Sequence, residues 1–318
     1  MVRVGVLAPL SRPGWVEAGR WLVAGAELAG RELGVEIVVR DTAADPVRAV
    51  AAVDELVGLG VAALAGEYHS VVARAVAERA VELGVPYLCS SAVLDELVVE
   101  PTDWVARIAP VQSRGWRIFA EYLLSLGHRR VAVVAQASVY WAAGTEVLRR
   151  YLELVELSSV EPAVVCDELA ESGATAVILL VGTPEPGVPI VEAVRRDARL
   201  AEVLIGAPAG QPEFAEWSTL HGIPFLRYLP EELPPLGVRV RAELGGNPSF
   251  VAFEGYDAIA VLAEVLRIQG SWESVAVEGT RGRIEFSRVP GIGVWQWAWA
   301  PIQVVQRDTG RFRVLRSG

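Results

Sequence analysis

RVGVLAPLSRPGW at positions 3–15 and RVAVVAQASVYW at 130–141 read almost alike. Each has an Arg, a four-residue apolar run and an Ala, then a Ser eight residues after the Arg and a Trp shortly beyond. A short apolar run bounded by turn residues is the pattern of a buried parallel strand. Helical spacing follows each Trp, so each stretch opens a strand–helix unit. The two starts lie 127 residues apart and predict two similar α/β lobes in one chain, their strand ends facing a common cleft. Open α/β sheets bind ligands outside the carboxyl ends of their strands. A two-lobed ligand clamp is the leading expectation, ahead of any enzyme.

Composition agrees with that and removes other classes. At 318 residues the chain has room for two domains, each of roughly 120–180 residues. It is 52% hydrophobic and 21% charged, enough apolar material for two filled cores. The formal charge is −10, and all 29 basic residues are Arg. An acidic balance without a basic cluster argues against nucleic acid or an anionic membrane as the main partner. Cys89 and Cys166 are the only cysteines and fall in opposite predicted lobes, so a disulfide framework is not expected. No apolar run is long enough to insert in a membrane. The first strand begins at Val2, which leaves no room for a signal peptide. The expectation is a cytoplasmic protein if the chain is native as given, and an extracytoplasmic one, periplasmic or lipid-anchored, if a leader was removed.

Strands read at 3–8, 35–40, 61–65, 85–89, 104–109, 130–135, 176–181 and 203–206. Amphipathic helices read at 15–32, 46–58, 70–83, 113–126, 143–157 and 188–198. This alternation predicts an α/β protein with two doubly wound parallel sheets and right-handed crossovers. From about 281 the pattern turns to strand-like runs, GRIEFS, GVWQWAW, PIQVVQ and RFRVL, which complete or cross between the lobes. Pro230, Pro234 and Pro235 mark an irregular connection.

Several segments resemble a known family. GVLAPLS at 5–11, GAELA at 25–29 and DTAADPVRAVAAVDELV at 41–57 are similar to type I periplasmic binding proteins. So are GEYHSVVARAVAERAVELGVPYLCSSA at 66–92, FEGYDAIAVLAEVL at 253–266, GVWQW at 293–297 and PIQVVQRDTGRFRVL at 301–315. Within that family the match is with the leucine/isoleucine/valine-binding branch of ABC-transporter solute receptors. GEYHS at 66–70 and LVGT at 180–183 also resemble the amide-sensor branch, and LGHRRVAVV at 126–134 the lac-repressor type of regulator. The resemblance implies a hinge crossed three times by the chain. Lobe 1 is then 1–112 plus 228–299, and lobe 2 is 113–227 plus 300–318. A small polar ligand would sit between the lobes and stabilise a closed form.

Ser70 is the leading candidate ligand residue. It opens a predicted helix just after a strand, where free N–H groups favour a carbonyl or carboxylate oxygen, and its hydroxyl can donate to the same oxygen. The plain alternative is a helix cap. Tyr68 and His69, in the same loop, are candidate walls of the pocket, while Glu67 reads as a solvated loop carboxylate. Ser90 and Ser91 follow the strand at 85–89 and would face Ser70 across adjacent strand ends. The resemblance makes Ser91 an amide donor, puts Val93 where the family has a Thr, and makes Tyr140 the aromatic that covers the ligand. Thr183 is a candidate polar contact from lobe 2. Trp15 and Trp141 line the cleft or pack between helices. The branched-chain receptors carry a Glu after the strand matching 203–206, but here Ala207 and Pro208 stand near that place. A buried ammonium needs a counter-charge. Unless Glu67 or Glu254 supplies it, small amides, urea-like compounds or other neutral ligands fit better than amino acids.

No enzyme signature is present. GIG at 291–293 lacks the rest of a dinucleotide loop, and there is no nucleophile elbow, zinc motif or metal-type Cys or His spacing. No cofactor and no metal are expected. Three readings follow: a receptor serving an ABC-transporter permease, a cytosolic amide-type sensor acting on a regulatory protein, and a small-molecule enzyme on the same fold. The first is preferred.

Overall fold

A computed structural model of the chain describes residues 2–182, 184–214, 221–308 and 311–318. The chain divides into two compact units, Met1–Val111 with Glu232–Pro301 and Gln112–Glu231 with Ile302–Gly318. It therefore passes from one unit to the other three times.

The first unit opens with β1 (Val2–Ala8), α1 (Val16–Leu33), β2 (Val35–Asp41), α2 (Pro46–Gly58), β3 (Ala63–Gly66), α3 (Ser70–Leu83), β4 (Tyr87–Cys89) and β5 (Val105–Arg107). The second unit follows with α4 (Gln112–Ser125), β6 (Arg130–Ala135), α5 (Val139–Arg149), β7 (Glu153–Glu156), α6 (Pro162–Ser172), β8 (Ala176–Leu180), α7 (Gly187–Arg196), β9 (Leu204–Gly206) and β10 (Pro224–Arg227). The chain returns to the first unit for α8 (Pro235–Leu244), α9 (Phe250–Ile268), β11 (Ala276–Gly279), β12 (Gly282–Glu285), β13 (Ser287–Arg288) and β14 (Trp295–Gln296). It ends in the second with β15 (Gln303–Asp308) and β16 (Arg311–Ser317).

The first unit's sheet has the order β2-β1-β3-β4-β5-β14-β13, parallel except for β13. In the second unit β7-β6-β8-β9 are parallel, and an isolated parallel bridge from Ala207 to Phe225 carries the pattern on to β10. Strand β15 then adds antiparallel to β10, and β16 antiparallel to β15. Counted within each unit, the order is second, first, third, fourth, fifth. This is a doubly wound sheet whose winding reverses beside its first strand. Those first strands, β1 and β6, are the two look-alike stretches of the sequence.

Local chemistry explains the boundaries. Asp45 caps α2 by accepting from the Val47 and Arg48 N–H groups, with Pro46 at the first helical position. Gly34 ends α1 in the left-handed conformation at φ 68°. Helices α1 and α9 pack backbone to backbone. A Cβ on Gly25 would lie 1.8 Å from the Ala252 carbonyl oxygen, and one on Gly255 would lie 2.1 Å from that of Leu22.

One expected helix is corrected. The amphipathic pattern at 143–157 is not a single helix, because α5 stops at Arg149 and Glu153–Glu156 forms β7. That strand is a sheet edge with exposed Glu at both ends and half-buried Leu154 and Val155, so its short pattern merges with the helical one before it. Helices α6, α8 and α9 and strand β10 were not read from the pattern.

Gly25→Ala should push α1 and α9 apart and destabilise the fold by about 1–3 kcal/mol, the usual range for overpacking. A lower urea midpoint with an unchanged slope is the expected result.

Candidate ligand-binding site

In the first unit, Leu7, Gly66 and Cys89 stand side by side in β1, β3 and β4. The segments that follow these strands, 9–15, 67–69 and 90–94, leave the sheet along one edge at the point where its winding reverses. That is where ligands bind open sheets of this order. Gly66 has φ 121°, and a Cβ there would lie 2.1 Å from the Leu7 carbonyl oxygen, so only glycine brings the loop this close to β1. The Tyr87 hydroxyl donates to the Gly66 carbonyl at 2.8 Å.

Glu67 is not the solvated carboxylate expected from the sequence. It is fully buried. Its Oε1 accepts from the Tyr68 and His69 N–H groups at 2.8 and 3.0 Å, and its Oε2 accepts from the Thr42 hydroxyl at 2.7 Å. The His69 ring Nδ1 is also 3.3 Å from Oε1. The carboxylate was drawn inward because it completes the loop's own amides, a demand that a one-dimensional pattern does not display. Asp41 braces the neighbouring 9–15 loop. It accepts from the Leu10 and Ser11 amides, the Ser11 hydroxyl, the Ala43 amide and Arg48. Burial works to raise its pKa, but the Ser11, Ala43 and Leu10 bonds and the Arg48 charge hold it below the usual carboxylate value.

The structure brings Tyr68, His69, Ser70, Ser90 and Ser91 to this one edge. Tyr68 and His69 are half-buried and meet edge to face, with ring centroids 5.4 Å apart. His69 is the N-cap of α3 but makes no side-chain cap bond, and Ser70 is the first helical residue. The Ser70 hydroxyl is thus not a plain cap: its oxygen accepts from the Leu94 N–H at 3.3 Å. Ser90 and Ser91 are buried with their hydroxyl oxygens 3.2 Å apart. Trp15 is half-buried at the N-cap of α1, next to the loop that Asp41 holds.

In the second unit the equivalent edge follows β6 and β8. Ser138 caps α5 by accepting from the Tyr140 N–H, and Gln112 at the start of α4 donates to the Tyr140 carbonyl at 3.0 Å. Tyr140 lies half-buried on Trp116 and Trp141, at centroid distances of 5.9 and 4.7 Å. Burial pushes its phenol pKa well up, with Trp116 acting against the shift. Trp141 itself is buried and 6.2 Å from Trp116, which places it in helix packing behind Tyr140. Gln136 receives the Gly182 N–H at 2.6 Å and so ties the ends of β6 and β8 together. Thr183 lies outside the described residues.

The carboxylates offered as partners for an ammonium are already engaged. Glu254 and Asp257 are fully buried and contact Arg281 at 3.2 and 3.0 Å. Sequence reading missed Glu213, in the turn after β9. It is buried and meets Arg227 in two contacts, at 2.8 and 3.0 Å. It also missed Arg107, a fully buried cation with no ion pair among the described residues. The only signals were an acid near a strand end and an Arg inside an apolar run. Cys89 is buried, its thiol donates to the Ala92 carbonyl at 3.6 Å, and burial raises its pKa to about 11 against the pull of Arg107.

A family profile described as periplasmic binding protein matches residues 1–291. The chain belongs to the periplasmic binding protein family. Among solved structures, this periplasmic binding protein is similar to the leucine-binding protein LivK of Thermotoga maritima, with TM-score 0.83 and 20% identity over 100% of this chain and 98% of that one. It is equally similar in fold to the branched-chain amino acid substrate-binding protein LivJ of Streptococcus pneumoniae, solved with isoleucine, at TM-score 0.83 and 17% identity over 100% of both chains. A solute-binding protein of R. palustris solved with 4-hydroxybenzoate aligns at TM-score 0.79 and 17% identity, over 100% of this chain and 96% of that one. No curated protein matches the sequence significantly. At these identities the likeness establishes the type I fold, with its two doubly wound sheets. Among the described residues, no helix is long and apolar enough to cross a membrane.

Two outcomes test the loop geometry of this periplasmic binding protein. Glu67→Ala should cost about 3 kcal/mol or more, because buried donors lose their acceptor, and chemical denaturation reads that loss directly. Asp41 is held below its unfolded pKa, so its stabilisation is complete above the ordinary carboxylate range and is lost as pH falls through and below it. Asp41→Asn should flatten that part of the stability–pH curve on the acid side and leave the alkaline side unchanged.

Proposed function

We propose that this protein is a non-catalytic, extracytoplasmic solute receptor for an ABC-transporter permease, and that its ligand is compact and carries a carboxylate or amide but no ammonium group. The supporting observation is the state of the buried acids. Glu67, Glu213, Glu254 and Asp257 are the buried carboxylates among the described residues, and each is already bonded to protein donors. Burying an ammonium without a counter-charge is severely unfavourable. The first unit buries Arg107 near the 90–94 segment with no carboxylate in direct contact among the described residues and Asp95 acting on it only through space, which favours an anionic or strongly polar oxygen on the ligand. Tyr140 and the aromatic side chains behind it suit an apolar or aromatic body with a hydrogen-bonding edge. Related solute-binding proteins solved with 4-hydroxybenzoate and benzoate have the same fold, as do those solved with isoleucine and leucine.

In this reading the two units act as the two lobes of the sequence analysis. At the strand ends of the first unit Ser70, Ser90 or Ser91 offers hydrogen bonds to a ligand oxygen, and at those of the second Tyr140 offers an apolar face. Closure about the hinge follows from greater ligand affinity for the closed state. A binding role also suits Cys89, whose enclosed and protonated thiol is a poor nucleophile.

A thermal-shift screen with benzoate, 4-hydroxybenzoate, 4-methylpentanoate, small aliphatic amides, leucine and isoleucine tests the ligand class. A ligand at ~100 times its Kd adds about 2.7 kcal/mol to the folded state. Shifts with the acids or amides and none with the amino acids are expected; a shift with leucine or isoleucine alone would overturn the ammonium-free reading. With a binding probe in hand, Ser70→Ala and Tyr140→Ala should each weaken affinity about tenfold in titration calorimetry.

A further inference from the structure

Arg107 is fully buried at the end of β5 without an ion pair among the described residues. Such a charge is expensive, and an apolar side chain of similar size would be cheaper unless the guanidinium holds something in place. It reaches two partners. Its Nη1 donates to the Leu94 carbonyl at 2.5 Å, and its Nε donates to the Gln296 side-chain oxygen at 2.7 Å. Leu94 is therefore gripped from both sides, because its N–H donates to the Ser70 hydroxyl. Gln296 passes the connection on. Its side-chain N–H₂ donates to the Ala109 carbonyl at 2.7 Å and to the Trp297 carbonyl at 3.1 Å. The Trp297 N–H in turn donates to the main-chain carbonyl of Arg107 at 2.9 Å.

These endpoints have a common place in the chain. Ala109 stands just before the first crossing between units, at Val111 to Gln112, and Trp297 just before the third, at Pro301 to Ile302. Arg281 grips the same region independently. It donates to the Ile108 carbonyl at 3.3 Å, lies over the Trp297 ring at 5.1 Å, and is itself anchored by Glu254 and Asp257 on α9. Continuous buried hydrogen bonds thus run from Ser70 through Leu94, Arg107 and Gln296 to both crossing segments.

We propose that Arg107 and Gln296 are positioning residues: they set Leu94 against Ser70 and tie that contact to the two segments by which the chain leaves the first unit. A change at Ser70 is then felt at the crossings through hydrogen bonds inside one unit. The use of this connection in ligand response rests on Ser70 touching the ligand, as in the proposed function. Coupling along these bonds is an energetic quantity that hydrogen exchange reads.

Amide hydrogen exchange on the full, ligand-free chain provides that measurement, read by mass spectrometry over 90–97, 107–112 and 296–302. Ser70→Ala should speed exchange in 90–97 and also by at least about twofold in both crossing segments, the smallest interaction typical of coupled groups. In a Gln296→Leu background the remote effect of Ser70→Ala should disappear while the local one persists. Gln296→Glu keeps an acceptor for Arg107 but loses the donor to Ala109 and Trp297. It should loosen the crossing segments and leave 90–97 at the parent rate, a split that mere space-filling would not produce. An effect of Ser70→Ala confined to 90–97, or equal loosening of all three segments by Gln296→Glu, would overturn the proposal. If Gln296→Leu does not fold, Ser70→Ala and Gln296→Glu decide between these outcomes. No ligand enters the experiment, so its failure leaves the receptor reading standing, and a failed ligand screen leaves this coupling standing.

Discussion

The buried carboxylate of Glu67 is the contact on which the strand-end loops of the first unit depend. A carboxylate in the protein interior is tolerated only when donors surround it. Here the donors are the next two amides of its own loop and a hydroxyl from the end of β2. That one group turns the chain out of β3, orients Tyr68 and His69, and starts α3 at Ser70. It also joins the loop after β3 to the segment after β2, across the strand where the sheet's winding reverses. Gly66 makes the turn sterically possible, and Glu67 makes it electrostatically stable.

The two look-alike stretches show how similar sequence is put to different local use. Ser11 and Ser138 occupy the same place in the repeat. Ser11 donates to Asp41, so its loop is held by a neighbouring strand, whereas Ser138 caps the helix that follows it. The strand half of each stretch does the same job in both units, as the first strand of a doubly wound sheet. Chain topology is thus duplicated, while the chemistry of the two edges is not. One edge is rich in hydroxyl and amide groups, and the other presents an aromatic surface built on Trp116, Tyr140 and Trp141.

Charge placement is what supports the proposed ligand chemistry. Four buried acids are used up inside the protein, two of them on a single arginine, whereas the buried Arg107 has no carboxylate within ion-pair distance among the described residues and feels Asp95 only through space. In a low-dielectric interior such an imbalance acts on anything bound nearby, since screening by water is weak there. The same arginine is locked to Leu94 and Gln296, so its charge and its position come from one set of bonds.

The sequence alone determined the layered α/β architecture, because the central strands are continuous buried apolar runs and the helices between them keep a 3.6-residue apolar period, both visible in a short window. It also located the loops at 67–70 and 90–91 and the aromatic start of α5, since each directly follows an apolar run that forms a strand. Where local and tertiary demands differed, the sequence was silent or misleading. Strand β7 was merged into a helix because its edge position leaves only two half-buried residues. Glu67 was read as solvated because nothing near it in the chain announces Thr42 as a donor. The partnerships of Glu213 with Arg227 and of Arg107 with Leu94 span 14 and 13 residues and that of Arg107 with Gln296 spans 189, each beyond the reach of a local pattern, so only folding brings the partners together. The physical reason is general: apolar periodicity is written residue by residue, whereas the partner of a buried polar group is chosen by the tertiary structure.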